Sequence, residues 1–142
     1  MENVKIYLAG AMASLSFEEQ TKWRQQISDE ILYGGHDYKF KPIFIDPTRY
    51  YNFENPSHKS EKEVMNFDLH KVRTSDVVVV NFNDPNSLGT AMEIAIAYEN
   101  RIPVIGLNKD DAELHSWLVK CCDRVCDDMY EVVEHIVDFY LN

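Results

Sequence analysis

The chain has 142 residues, with 14 Lys and Arg against 24 Asp and Glu, and its net charge at neutral pH is −10. This length fits a single domain over residues 1–142. The negative charge argues against a protein that binds nucleic acid or an anionic membrane surface. No run of apolar residues is long enough to predict a membrane span, and the N-terminus lacks the pattern of a signal peptide. We therefore expect a cytoplasmic protein.

The first third of the chain predicts a strand, a helix and a second strand. The apolar run from Val4 to Ala9 is typical of a buried strand. Ser16 and Glu19 form the S-x-x-E pattern of a capping box, which predicts the start of a helix. Apolar residues then recur at four-residue spacing, at Trp23, Ile27 and Ile31. A second short strand is expected from Ile43 to Ile45.

The middle of the chain begins with a long polar and aromatic stretch, residues 47–60, which predicts a loop with a functional role or high mobility. Glu61 to Arg73 predicts a helix. Its expected inward positions are Val64, Phe67 or Asp68, and Val72. Four consecutive valines then open a strand from Val77 to Phe82, and such a run predicts burial on both faces. Leu88 to Asn100 predicts a helix so rich in small and apolar residues that little of it should face water.

The last third predicts a strand from Ile102 to Leu107, a short helix from Ala112 to Lys120 and an edge strand from Arg124 to Cys126. A terminal helix should follow, with an apolar stripe formed by Tyr130, Val133, Ile136, Val137 and Tyr140. The three cysteines, Cys121, Cys122 and Cys126, lack the spacing of a disulfide framework or a zinc site. We expect buried or inert thiols, and no metal.

Five strands that alternate with five helices predict an α/β fold, a doubly wound parallel sheet with helices on both faces. Ligands of such sheets bind beyond the carboxyl ends of the strands. That edge should comprise Gly10 to Ser14, Asp46 to Asn52, Asn81 to Gly89, and Asn108 to Ser116.

Two carboxylates are the candidate catalytic residues. Glu93 lies in an apolar helix, where burying an unpaired carboxylate is costly and is often tolerated for function. The alternatives are a position on a narrow solvent-facing stripe and a structural ion pair. Asp68 is the second, with a surface position on its helix as the alternative. Two carboxylates at one sugar ring are the groups that cleave glycosidic bonds. Tyr7, on the first strand, could belong to the core or to the wall of a pocket.

Other motifs exclude several classes of enzyme. Gly10 to Ser14 is neither a P-loop nor G-x-G-x-x-G, which argues against a nucleoside triphosphatase or a Rossmann dehydrogenase. The five histidines form no H-x-x-H or H-E-x-x-H pattern, and no G-x-S-x-G elbow is present. We therefore expect neither a metal nor an organic cofactor. Gly89 and Ser87 begin the helix of Glu93, where free N–H groups suit a phosphate or a sugar hydroxyl.

Three segments, YLAGAM, FDLHKVRTSDVVVVNF and SLGTAMEIAIAYENRIPVIGL, resemble the nucleoside 2-deoxyribosyltransferase family, which includes related nucleoside 5′-monophosphate N-glycosidases. The likeness covers most of the chain and is strongest from Asn66 to Leu107. It implies a flavodoxin-like sheet and cleavage of the N-glycosidic bond of a (deoxy)nucleoside or nucleotide.

The resemblance also implies roles for individual residues. Glu93 falls at the family nucleophile, Asp68 at the acid that orients the sugar and handles a proton, and Tyr7 at a tyrosine beside the nucleophile. Ser87 stands where monophosphate hydrolases carry Ser and where transferases on free nucleosides carry Asp. Its alternative role is that of a helix N-cap.

The resemblance further implies a homodimer or dimer-based oligomer, in which a segment of one subunit enters the site of another. Residues 113–117 resemble that segment, although Glu113 replaces the usual Asn or Ser. Trp117 could instead pack in the core of its own chain. The full set of candidate substrate-binding residues is Gly10, Ser14, Ser87, Gly89, Glu113 and His115.

The sequence thus predicts an enzyme that releases the base of a (deoxy)nucleoside 5′-monophosphate. The alternatives are a transferase that exchanges bases on free deoxynucleosides, a cytokinin-type phosphoribohydrolase, or a nucleotide-binding module without turnover. The phosphoribohydrolase is the weaker match, because PNSLGTAME lacks the GG pair of PGGxGTxxE.

Overall fold

The computed structural model describes residues 2–51 and 54–142. Asn52, which the sequence placed at the ligand-binding edge, lies outside these residues. The strands are β1 (Asn3–Gly10), β2 (Lys41–Ile45), β3 (Val77–Asn81), β4 (Val104–Leu107) and β5 (Arg124–Cys126). The helices are α1 (Phe17–Tyr33), α2 (Glu61–Arg73), α3 (Leu88–Glu99), α4 (Ser116–Cys121) and α5 (Met129–His135). A 3-10 turn, Pro47–Arg49, follows β2, and a π-helical segment, Ile136–Tyr140, continues α5.

All strand pairs are parallel, and the strand order is β2-β1-β3-β4-β5. This is the flavodoxin-like order of a doubly wound sheet. The predicted fold class is therefore confirmed. The central strands β1 and β3 pair from Ile6 opposite Val77 to Gly10 opposite Asn81. The valines of β3 are fully buried, as expected for the centre of a parallel sheet.

The two faces of the sheet carry separate cores because side chains alternate along each strand. On one face, α1 and α5 pack on the even-numbered residues of β1, and this core includes Leu8, Trp23, Ile27, Val79, Ile105 and Val133. On the other face, the helices α2 and α3 cover the odd-numbered residues, and that core includes Tyr7, Ala9, Val72, Val78, Ile94 and Ala97. The residues of the candidate site lie on the second face.

Serine residues cap the N-termini of α1 and α2. Ser16 and Glu19 form the predicted capping box of α1, and Ser60 with Glu63 forms a second one at α2. Reciprocal capping satisfies backbone N–H groups that the first helical turn leaves free. The start of α2, and with it the position of Asp68, is therefore defined by local sequence.

Two predictions about helix faces are wrong, and a third holds only for its alternative. Of the two residues expected to face inward, Phe67 is 42% exposed, with its ring against Tyr50 and Tyr51, whereas Asp68 is partly buried. Leu69, which was not predicted, is buried. Tyr130 is also exposed, and its hydroxyl donates to Glu134 on the surface. The prediction that α3 turns little surface to water fails as well, since Leu88, Met92 and Tyr98 are all largely exposed.

Several boundaries also differ from the prediction. The short helix expected from Ala112 begins at Ser116, because the Asn108 side chain bonds both the N–H and the carbonyl of Ala112 and holds a loop there. Strand β2 begins at Lys41, two residues before the predicted start, and carries Pro42, which an edge strand tolerates. None of the described helices is both long and apolar enough to cross a membrane.

Candidate active site

Tyr7, Asp68 and Glu93 come together on the α2–α3 side of the sheet. Tyr7 is completely buried in β1, while Asp68 of α2 and Glu93 of α3 are partly buried. Both carboxylates line a small cavity of about 160 Å³ between α2 and α3, whose wall also includes Gly89 and Met92. The structure thus brings together the three residues that the sequence singled out as catalytic.

The Glu93 carboxyl has an unusual protonation equilibrium. Burial raises its pKa from 4.5 to about 7 and the nearby Asp68 adds to the rise, whereas the adjacent Tyr7 hydroxyl and the charge of Arg24 oppose it. A carboxyl with this pKa exchanges its proton close to neutral pH, as groups that take part in catalysis do.

The Tyr7 hydroxyl lies beside the Glu93 carboxyl. Among the described residues it has no hydrogen-bond partner of regular geometry. Burial raises the pKa of Tyr7 far above its usual value, and the charges of Glu93 and Asp68 raise it further. Tyr7 therefore stays protonated and can donate a hydrogen bond to an oxygen atom in front of Glu93.

Asp68 is held by a residue that the sequence analysis did not single out. The Tyr51 hydroxyl donates to Oδ1 of Asp68 at 2.7 Å. Burial raises the pKa of Asp68, while the Tyr51 hydrogen bond and the charge of Arg24 counteract the rise. Tyr51 belongs to the 47–60 stretch, and the tyrosine pair at this predicted ligand-binding edge was the signal available.

A second cavity is lined by Tyr51, the residue that donates a hydrogen bond to Asp68. Its volume is about 290 Å³, and it is lined by Tyr50, Tyr51, Ser57, His58, Glu63 and Phe67. The ring of Tyr51 makes edge contacts with Phe67 and His58. Aromatic walls of this kind offer flat apolar surfaces next to Tyr51, the hydrogen-bond partner of Asp68.

The N-terminus of α3 lies at the cavity. Ser87 is its N-cap: Oγ accepts from the N–H of Thr90 at 3.3 Å and lies 2.9 Å from the Thr90 hydroxyl. Gly89 is exposed, and a Cβ atom there would meet no other atom within 4 Å. The capping role of Ser87 is thus present, and the open space at Gly89 leaves the helix terminus accessible to a ligand.

The loop after β1 is arranged differently from the expectation. The Ser14 hydroxyl donates to Oδ2 of Asp84 at 2.6 Å, and this bond lowers the pKa of Asp84. Gly10 is buried, and a Cβ atom at this position would lie 2.8 Å from the ring of Trp23. The evident role of Gly10 is to admit the Trp23 ring, whereas Ser14 is engaged with a carboxylate.

Glu113 and His115 are not among the residues that line the cavity of Asp68 and Glu93. Both are exposed, and Nδ1 of His115 accepts from the N–H of Trp117 at 3.1 Å, which caps α4. Trp117 is 74% exposed and does not pack in the core of its own chain. His115 and Trp117 line a groove of about 600 Å³ on the far side of α3, together with Ser87, Leu88 and Met92.

Arg24 is the charged residue that sequence reasoning missed most clearly. It has no exposed surface, although it lies on α1 among residues of the apolar core. Its Nε atom lies 3.8 Å from Oδ1 of Asp46, directly after β2. An arginine next to a buried tryptophan in an apolar stripe was its only sequence signal.

Metal-binding and thiol chemistry find no support in the described part of the chain. No group of three or more His, Cys, Asp or Glu residues there could hold a metal ion. All three cysteines are free. Burial raises the pKa of Cys122 to about 12, so its thiol is a poor nucleophile at neutral pH.

Comparison with known proteins gives a family match over most of the chain. The family model described as nucleoside 2-deoxyribosyltransferase matches residues 6–137. No curated protein sequence matches the chain. The sequence-based resemblance is therefore confirmed at the level of the family.

Several solved structures share the fold. A conserved protein from Enterococcus faecalis V583 has a TM-score of 0.74 at 21% identity, over 94% of this chain and 97% of that one. A 2-deoxyribosyltransferase from Bacillus psychrosaccharolyticus has a TM-score of 0.71 at 21% identity, over 96% and 93%. The CMP N-glycosidase BcmB from Clostridium botulinum has a TM-score of 0.56 at 17% identity, over 93% and 97%.

Proposed function

Because the chain belongs to the nucleoside 2-deoxyribosyltransferase family, we propose that it cleaves the bond between a nucleobase and a (deoxy)ribose with Glu93 as the nucleophile. The family assignment makes the protein an enzyme of this type. The observation that carries the finer proposal is that Glu93 and Asp68 line one cavity, with the buried Tyr7 hydroxyl beside Glu93.

The proposed reaction has two steps. The ionised Glu93 carboxylate attacks C1′, the C1′–N bond breaks, and its electron pair leaves with the base, which takes up a proton. A glycosyl ester to Glu93 results. Water or a second base then attacks C1′, the ester bond breaks, and the Glu93 carboxylate is restored. This is the double displacement of a retaining glycosidase.

The surroundings of Glu93 fit this cycle. Its pKa of about 7 leaves a large ionised fraction at neutral pH, while burial limits the stabilisation of that charge by water. Tyr7 can donate to the carboxylate and, once the ester has formed, to its carbonyl oxygen. Asp68 can accept hydrogen bonds from the sugar hydroxyls and carry a proton, and Tyr51 orients it.

The test is base release from a panel of nucleosides and their 5′-monophosphates. We expect the wild type to release base from at least one member, and Glu93→Ala to lose a factor of about 10³ or more in rate. Glu99→Ala is the matched control, since Glu99 is an exposed carboxylate on the same helix. Activity of Glu93→Ala equal to that of the wild type would exclude Glu93 as the nucleophile.

We propose further that the preferred substrate carries a 5′-phosphate, held at the N-terminus of α3. The support is the serine at position 87, which adds no negative charge, and the open space at Gly89 above the helix terminus. An Asp at position 87 would repel a phosphate across a short distance, and even about 1.4 kcal/mol of repulsion lowers affinity about tenfold.

One observation favours the alternative, base exchange on free deoxynucleosides. Asp84 follows β3 at the same edge as Ser87, and its carboxylate holds the Ser14 hydroxyl. A carboxylate there opposes a phosphate and suits sugar hydroxyls. We expect a higher kcat/KM for monophosphates than for their parent nucleosides, and Ser87→Asp to reverse that order. Equal or faster cleavage of free nucleosides by the wild type, with base exchange, would select the transferase instead.

The proposed assembly is a homodimer or a dimer-based oligomer formed through the exposed apolar residues of α3 and α4. Leu88 is 81% exposed and Trp117 is 74% exposed, and both line the groove beside the site. Met92 borders this groove and the catalytic cavity alike, so a second copy seated here would lie next to the site.

The assembly is tested by light scattering at micromolar concentration. We expect an oligomer, and we expect Trp117→Asp to dissociate it and to lower activity, because a buried charge opposes association. A fully active wild-type monomer would refute a site that two subunits share.

A further inference from the structure

Arg24 is a charged side chain in the middle of an apolar core. It is completely buried, and the nearest ring is that of Trp23, whose centroid lies 4.7 Å from the guanidinium carbon. Burying a charge is costly unless hydrogen bonds and opposite charges compensate it. The groups that compensate Arg24 therefore show what its position is used for.

At the end of β1, where β2 no longer pairs with it, the guanidinium of Arg24 takes the place of the neighbouring strand as a hydrogen-bond donor. Strand β2 pairs with β1 only as far as Ile45, opposite Tyr7. Beyond that point Arg24 donates from Nε to the carbonyl of Leu8 at 3.1 Å and from Nη2 to the carbonyl of Gly10 at 3.2 Å. These two bonds hold the segment that directly follows Tyr7. A lysine, with one compact donor group, could not span both carbonyls in the same way.

Two sets of acidic groups act on the charge of Arg24. The first is Asp46, which follows β2, forms an ion pair with Arg24 and also accepts from the backbone and hydroxyl of Thr48. The second set acts electrostatically and belongs to the candidate site: Glu93 of α3, Tyr7 of β1 and Asp68 of α2. Of the described groups that act electrostatically on Glu93, namely Tyr7, Asp68 and Arg24, only Arg24 is a cation.

We propose that Arg24 is a positioning residue, which fixes the end of β1 behind Tyr7 and supplies a buried positive charge that stabilises the Glu93 and Asp68 carboxylates at the cavity they share. Its role in catalysis rests on the proposed function. Its effect on the two carboxyl groups belongs to the folded protein itself and can be measured without turnover.

The experiment is a carbon-13 NMR titration of the Glu93 carboxyl in the wild type, Arg24→Gln and Arg24→Lys. The Gln variant removes the charge, so the Glu93 midpoint should rise by about one pH unit. The Lys variant keeps the charge but loses the fork of donors, so its midpoint should stay near that of the wild type while its thermal stability falls. Arg49→Gln is the matched control, because exposed Arg49 also pairs with Asp46, at 3.5 Å, and should leave the midpoint unchanged.

Where base release is measurable, the pH at which kcat/KM falls on the acid side of its pH profile should shift by the same amount as the NMR titration midpoint of Glu93. An Arg24→Gln midpoint equal to that of the wild type would overturn the proposal and leave Arg24 a purely structural residue. Should that variant not fold, Arg24→Gln with Asp46→Asn removes both halves of the ion pair, and the same rise is expected. A wild type without glycosidase activity but with the expected midpoints would refute the proposed function and leave the electrostatic role of Arg24 in place.

Discussion

Replacing Glu93 by glutamine should stabilise the fold, and only at high pH. The folded state raises the pKa of Glu93 from 4.5 to about 7, which means that it binds the proton more tightly than the unfolded chain does. Below about pH 4.5 the carboxyl is neutral in both states and carries no penalty. As pH rises from about 4.5 to about 7, the carboxyl loses its proton more readily in the unfolded chain than in the folded one, so the free energy of unfolding falls. Above about pH 7 it falls no further.

The magnitude follows from the pKa values. At about 1.4 kcal/mol for each pH unit, ionised Glu93 lowers the free energy of unfolding by about 3 kcal/mol. Glutamine keeps the shape and cannot ionise, so Glu93→Gln should gain about 3 kcal/mol at about pH 8.5 and very little at about pH 4. For a chain of this size that is a rise in Tm of about 10 °C.

Urea unfolding of the wild type and Glu93→Gln at both pH values measures this difference. Glu99→Gln on the exposed end of α3 serves as the control and should show no such pH-dependent gain. This expectation would be refuted if Glu93→Gln were no more stable than the wild type at about pH 8.5, or equally stabilised at both pH values. Either result would show that burial does not raise the pKa of Glu93.

Three further predictions concern the same region. The rate of base release should fall as pH drops below about 7, because Glu93 must be ionised to attack; a profile flat down to about pH 5 would contradict this. Asp68→Asn should lower kcat by less than Glu93→Ala does, and Tyr51→Phe by less again, since Tyr51 only orients Asp68; steady-state kinetics rank the three. Gly10→Ala should cost about 1–3 kcal/mol in urea unfolding, because the added Cβ would lie 2.8 Å from Trp23, and an unchanged midpoint would show that the ring moves freely.

The sequence was most informative where the physical signal is local and repeated. The valine run of β3 and the capping box at Ser16 and Glu19 were sufficient to predict a buried central strand and the start of α1. A carboxylate in the middle of an apolar helix, next to the predicted ligand-binding edge, made Glu93 a candidate catalytic residue. In each case neighbouring residues alone carry the information.

The remaining features depend on contacts between distant residues. Tyr51 and Asp68 are 17 residues apart, and nothing in either segment indicates their hydrogen bond. Arg24 fits the polar positions of an amphipathic helix, and its burial becomes evident only once β2 is seen to end beside β1. The sequence left open whether Phe67 or Asp68 faces inward, and the rings of Tyr50 and Tyr51, which provide a second apolar surface for Phe67, lie in a distant segment.

The pairing of β1 with β3 has a consequence for how the chain acquires its structure. Ile6 pairs with Val77, so the centre of the sheet joins segments about 70 residues apart. During synthesis the ribosome must release more than half of the protein before this pairing can form. Until then β1 has only β2, the edge strand, as a neighbour. The chain therefore passes through a stage in which the side of β1 that later pairs with β3 is open, and the pairing with β3 covers that side.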